Sequence, residues 1–161
     1  MTLPLVSAAA AVLFAMAAAS PSDPAAPAAP EPSPDLSPAE VVRIQVEALK
    51  RNDDPTPGAG IATAFRFASP GNRAATGPLP RFDRMVRAGY ADLLGFARAE
   101  YGDLTVTGDR AVAAVTLVLR DGRRVTYGFA LSRQTAGDCL GCWMTDAVVE
   151  RPEPPGGLRR I

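Results

Sequence analysis

Between residues 36 and 151 the apolar positions change period once, near Phe96, and the change divides the chain into a helical half and a strand half. Ser37-Pro38-Ala39-Glu40 opens the first helix. Ser37 can cap it, Pro38 fits its first turn, and Glu40 stands three residues after the cap, as a capping box requires. This helix is expected to reach about Asn52 and stop before Asp53-Asp54-Pro55, with Val41, Val42, Ile44, Ala48 and Leu49 on one face. A second helix is expected over 59–68, with Ile61, Ala64, Phe65 and Ala68 on one side. A third is expected over 80–88, burying Leu79, Phe82, Met85 and Val86. Residues 69–78 read as the loop between them.

Beyond Phe96 the period falls toward two, and strands are expected over 97–106, 111–120, 123–132 and 143–149. Asp121-Gly122 between two apolar runs is a hairpin signal, because a two-residue loop of this kind needs positive φ. Such a loop sets Val118 opposite Val125, Thr116 opposite Tyr127, Ala114 opposite Phe129 and Val112 opposite Leu131. Small residues then oppose large ones on the packed face. Ala113, Val115, Leu117 and Leu119 fall on the reverse face, opposite Ala130, Gly128, Thr126 and Arg124. Helices first and an antiparallel meander after is an α+β pattern: N-terminal helices packed on a curved antiparallel sheet of about four strands.

The flanks set the boundaries. Residues 1–19 are an uncharged apolar run ending in Ala17-Ala18-Ala19, the pattern of a cleaved export signal, although no Lys or Arg precedes it. Residues 20–35 are Pro/Ala-rich and read as a disordered linker, and 152–161 as a disordered tail. Residues 36–151 remain as one domain, exported to the periplasm or secreted, with no stable membrane span once the signal is removed.

Charge narrows the partners. Lys and Arg number 17 against 17 Asp and Glu, and no run of like charge exceeds two residues. Nucleic acid is therefore not an expected partner, since binding it needs a net basic face.

The candidate chemistry is sparse because the chain has no histidine and only two cysteines. Cys139 and Cys142 can form a disulfide, exchange thiols, or supply half a metal site. They cannot complete an ordinary zinc site, so no metal or other cofactor is expected. Asp138 before the pair, glycines at 137 and 141 and an apparent strand after it favour a disulfide clasp at the last hairpin over a redox centre, which would want a helix N-terminus. Gln45 and Asn52 lie on the apolar stripe of the first helix; they either bond backbone at the core's edge or line a polar pocket. Asn72 and Arg73 in the Gly-containing 69–78 segment are either ordinary turn residues or an anion site. Asp146 with Tyr127 is the pair to test for acid–base work, against the plainer reading of a core tyrosine and an aspartate paired with arginine. No nucleophile elbow or phosphate loop is present.

The runs Phe67-Ala68-Ser69-Pro70-Gly71-Asn72-Arg73, Thr76-Gly77-Pro78 and Gly137-Asp138-Cys139-Leu140-Gly141-Cys142-Trp143-Met144-Thr145-Asp146 resemble an uncharacterised domain of unknown function found in exported bacterial proteins and in plants. So does the Phe82, Met85, Val86 spacing. In layout the family is similar to the nuclear transport factor 2-like (cystatin-related) α+β cone. That resemblance implies a fold and no catalytic residue, since cones of this kind host enzymes, ligand binders and dimerisation modules alike. The expected function is a small non-enzymatic module that binds a small ligand or a protein, with a homodimer among the assemblies allowed. The alternatives are a periplasmic thiol–disulfide protein using Cys139 and Cys142, and a lyase or isomerase with Asp146 as base.

Overall fold

In the computed structural model, which describes residues 29–152, four helices precede four strands. The expected signal segment and most of the expected tail lie outside the described residues. α1 (Pro38–Lys50) begins as its capping box dictates: Glu40 N donates to Ser37 Oγ at 3.3 Å and Ser37 N donates to Glu40 Oε2 at 2.8 Å. Its buried face is Val41, Val42, Gln45, Val46 and Leu49, so the stripe is turned toward Val46, and Ile44 is only partly buried.

α2 (Ala59–Arg66) crosses α1 where Gly60 lets the backbones touch. A Cβ on Gly60 would lie 2.2 Å from the Ala48 carbonyl oxygen. α2 ends two residues before the expected boundary because Phe67 and Ala68 leave the helix to bond β4. The stretch read as a loop contains a third helix, α3 (Pro70–Thr76), capped by the Ser69 hydroxyl and ended by Gly77. None of its residues is buried, so it has no apolar period by which to be recognised. α4 (Leu79–Gly89) follows and buries Phe82 and Val86, while Leu79, at its first turn, stays exposed.

The strands β1 (Arg98–Thr107), β2 (Arg110–Val118), β3 (Arg124–Arg133) and β4 (Trp143–Arg151) form one antiparallel sheet in chain order. This is the α+β arrangement that the change of period indicates. The β2–β3 hairpin differs by one residue from the two-residue expectation. Leu119 N donates to Arg123 O at 2.8 Å and Gly122 N to Leu119 O at 3.1 Å, so the loop is Arg120-Asp121-Gly122, with Gly122 at φ 87°.

One extra loop residue shifts the register by one and exchanges the faces of β2. Val115 now stands opposite Tyr127, Ala113 opposite Phe129 and Ala111 opposite Leu131. Ala113, Val115, Leu117 and Leu119, expected on the reverse face, form the core face together with Ala111, Tyr127, Phe129 and Leu131. Val112, Ala114, Thr116 and Val118 face outward.

The core lies between this face and α1, α2 and α4, with Phe67, Phe96, Ile61 and Val46 filling it. Burying each such side chain contributes about 1.5–3 kcal/mol. On the outer face Thr116 and Thr126 share a hydroxyl hydrogen bond of 2.8 Å. Glu100 bridges Arg98 (2.6 Å) and Arg124 (2.5 Å), and these arginines hold its carboxyl far down, at about 2.

Ahead of α1, Glu31 pairs with Arg66 at 3.1 Å and the Pro30 carbonyl accepts from the same guanidinium. This end of the segment read as a linker therefore lies against α2.

Candidate ligand-binding site

The register of β3 with β4 slips between Ala130 and Leu131, which makes Asp146 an extra residue in β4. A bulge of this kind bends its strand and re-aims the neighbouring side chains. Beside it, Thr145 joins the helices to the sheet edge. Its N–H donates to Phe67 O at 2.9 Å, and its carbonyl accepts from Ser69 N at 2.8 Å and from Asn72 Nδ2 at 3.0 Å. Its Oγ1 accepts from Gln45 Nε2 at 2.8 Å. These bonds cover the edge of β4 where an unpaired ladder would otherwise be open.

The same bonds fix how two amides point. Gln45 Nε2 also donates to Val41 O at 3.1 Å, and since a carbonyl oxygen can only accept, the amide cannot be turned over. Asn72 Nδ2 is oriented by the Thr145 carbonyl in the same way. Gln45 is 3% exposed, yet its Oε1 has no hydrogen bond among the described residues, and no fully buried side-chain N or O there lacks a partner. That oxygen therefore opens onto the adjoining cavity.

The cavity holds about 290 Å³ between α1, α2, α4 and the β4 end of the sheet. Leu49, Ala64, Phe82, Met85, Val86 and Phe129 wall it with apolar surface. Gln45, Asn72, Thr76, Thr145 and Asp146 gather as its polar lining, and Tyr90 adds a hydroxyl. Asp146 is half-buried and accepts a hydrogen bond from Ser132 Oγ at 2.9 Å. Among the described residues no Arg or Lys lines it, in an arginine-rich chain.

The expected site residues separate. Gln45, Asn72 and Asp146 come together at the cavity. Asn52 does not: its Oδ1 accepts from Ile61 N at 2.9 Å and its Nδ2 donates to Asp53 Oδ1 at 2.8 Å, so it ties the start of α2 to the end of α1. Arg73, next to Asn72, lines a separate groove with Glu31, Arg66, Asp138 and Cys139, so the two residues read as an anion pair face different depressions.

Tyr127 is 2% exposed, with its ring 6.4 Å from that of Tyr90, and burial, with Glu150 nearby, pushes its hydroxyl up to about 12. Its partner across the ladder is Glu150, four residues along β4 from Asp146. At about 3.3 Å of rise per residue the two are about 13 Å apart along the strand, too far for one proton relay.

Cys139 and Cys142 are joined by a disulfide with Cα atoms 5.5 Å apart. Gln134 N donates to Cys142 O at 2.8 Å and Gly141 N to Gln134 O at 2.7 Å, closing the β3–β4 connection immediately before β4. Cys142 is fully buried and neither cysteine begins a helix.

Thr145, Thr76 and Tyr90 are the polar lining residues that sequence reasoning missed. A lone threonine in the strand run Trp143-Met144-Thr145 was the available signal for the first, and the helical position of the second was hidden in what read as a loop.

A family model described as a domain of unknown function (DUF4864) matches residues 35–154. The chain belongs to that family. The matched span takes in every helix and strand of the described residues and all of those that line the cavity. No curated protein matches the chain. Among the described residues no helix is long and apolar enough to cross a membrane.

Proposed function

We propose that this domain is a binding module that holds one small molecule in the cavity beside β4, rather than a catalyst. The observation that carries the reading is Gln45, a buried amide whose nitrogen is used twice for structure and whose oxygen is turned into an apolar cavity. Buried polar groups are rarely left open without a partner to receive, and a few placed polar groups in an apolar concavity are what small-ligand sites are made of. At about 290 Å³ the cavity stands at the small end of such sites.

The helix-then-meander order fits the nuclear transport factor 2-like cone, in which a pocket between helices and sheet is the natural site. The disulfide suits a protein exported by way of residues 1–19. The cysteines' place in a hairpin turn, with Cys142 buried, supports a clasp over a thiol-exchange centre. The distance between Asp146 and Tyr127 weighs against the lyase or isomerase reading.

A thermal-shift screen of small apolar molecules tests the proposal. Ligands that raise Tm by mass action are expected to lose their effect in Ala64→Leu, which fills the cavity wall. Hits that stabilise this variant equally, or the absence of hits, would count against a cavity site.

A further inference from the structure

We propose that the head of the bound molecule is uncharged or positively charged, an alcohol, amide or amine on a compact apolar body, and that carboxylates and phosphates are rejected. The inference rests on the cavity reading and deepens it. Its ground is the distribution of charge. The chain is rich in arginine, yet among the described residues none lines this cavity, and Asp146 is the one carboxylate among them that does. An anion placed there would give up its hydration without a countercharge and would stand beside a carboxylate and the outward oxygen of Gln45.

A hydrogen-bond donor meets the opposite conditions. Gln45 Oε1 is held as an acceptor by the two bonds of its nitrogen, to Val41 O and Thr145 Oγ1. Asn72 is held with its nitrogen on the Thr145 carbonyl, which leaves its Oδ1 as a second acceptor at the same end. The Tyr90 and Thr145 hydroxyls can donate or accept and so serve an alcohol or amide as well. They supply no net positive charge, so they do not make the site hospitable to an anion. The neighbouring depressions that do hold arginines are separate: one is lined by Arg66 and Arg73 with Glu31 and Asp138, the other by Arg110 and Arg133 with Asp109.

The test is a matched series with one body and three heads: 4-phenylbutan-1-ol, 4-phenylbutylamine and 4-phenylbutanoate, titrated calorimetrically into the full domain with its disulfide intact. The alcohol and the amine are expected to bind at least about 10-fold more tightly than the carboxylate, the factor that one unmatched buried hydrogen-bonding group is worth. Equal or tighter binding of the carboxylate overturns the head-group inference while leaving a ligand cavity in place. If none of the three binds, the cavity reading itself fails. In Asn72→Ala, which removes one acceptor, the preference over the carboxylate should shrink; an undiminished preference would mean that this end of the cavity does not read the head.

Discussion

Thr145→Val removes one oxygen and keeps the shape of a residue that is 1% exposed. Its backbone bonds to Phe67 and Ser69 do not depend on the side chain, so the strand edge remains covered. What is lost is the acceptor 2.8 Å from Gln45 Nε2. Gln45 keeps its bond to Val41 O, but one N–H is left facing a methyl group. A buried donor stripped of its partner costs about 1–3 kcal/mol. With one of two bonds retained and the cavity adjacent, the lower half of that range applies, about 1–2 kcal/mol.

Gln45→Leu in the Thr145→Val background removes both members of the pair. Replacing both by apolar groups can be nearly neutral, so the double variant should be more stable than the sum of the single losses predicts. The expected coupling is about 1 kcal/mol, within the range for groups in direct contact. Urea unfolding reads it directly. At a slope of about 2 kcal/mol per molar, Thr145→Val should lower the midpoint by about 0.5–1 M with the slope unchanged. A shift under about 0.2 M, or strictly additive losses, would refute the view that the Gln45–Thr145 bond holds α1 to β4.

Other consequences are as direct. Gly60→Ala puts a Cβ against the Ala48 carbonyl, a backbone atom that cannot swing aside; α1 and α2 must separate, and a loss of about 1–3 kcal/mol is expected in the same urea assay. Reducing the disulfide opens a ring closed over a sequence separation of three, so it should lower stability by only about 2 kcal/mol and leave the far-ultraviolet circular dichroism unchanged; collapse of the fold on reduction would contradict the clasp reading. Glu100, lowered from 4.5 to about 2 by Arg124 first and Arg98 second, stabilises the fold above its unfolded value and loses that contribution as pH falls toward 2. Glu100→Gln should flatten the fall in Tm between pH 4.5 and 2, and added salt should reduce the difference because the group is exposed.

Local signals carried much of the fold. The capping box placed the start of α1, and the change of period at Phe96 separated helices from strands. The register of β2 with β3 was not local. Asp121-Gly122 marks a turn under either loop length, and alternating Val, Ala and Leu on both faces of β2 could not say which face was core. The hydrogen bond from Leu119 to Arg123 decides it. α3 was missed for the opposite reason: a short helix that buries nothing leaves no periodic trace.

At the site, Gln45 stood out because an amide on an apolar stripe must find partners. Asn52 stood out equally, and its partners are those of a helix junction. What distinguishes them is Thr145, 100 residues from Gln45 in the chain, and no spacing rule reaches that far.

The central claim is that the cavity beside β4 takes a ligand. Methyl-labelled NMR of the domain titrated with 4-phenylbutan-1-ol tests it directly. The account predicts saturable shifts at Ala64, Ala68, Met85 and Val148, which line the cavity, and none at Val106 or Val112, which are exposed on other parts of the sheet. Shifts confined to those exposed residues, or no saturable shifts at all, would contradict it.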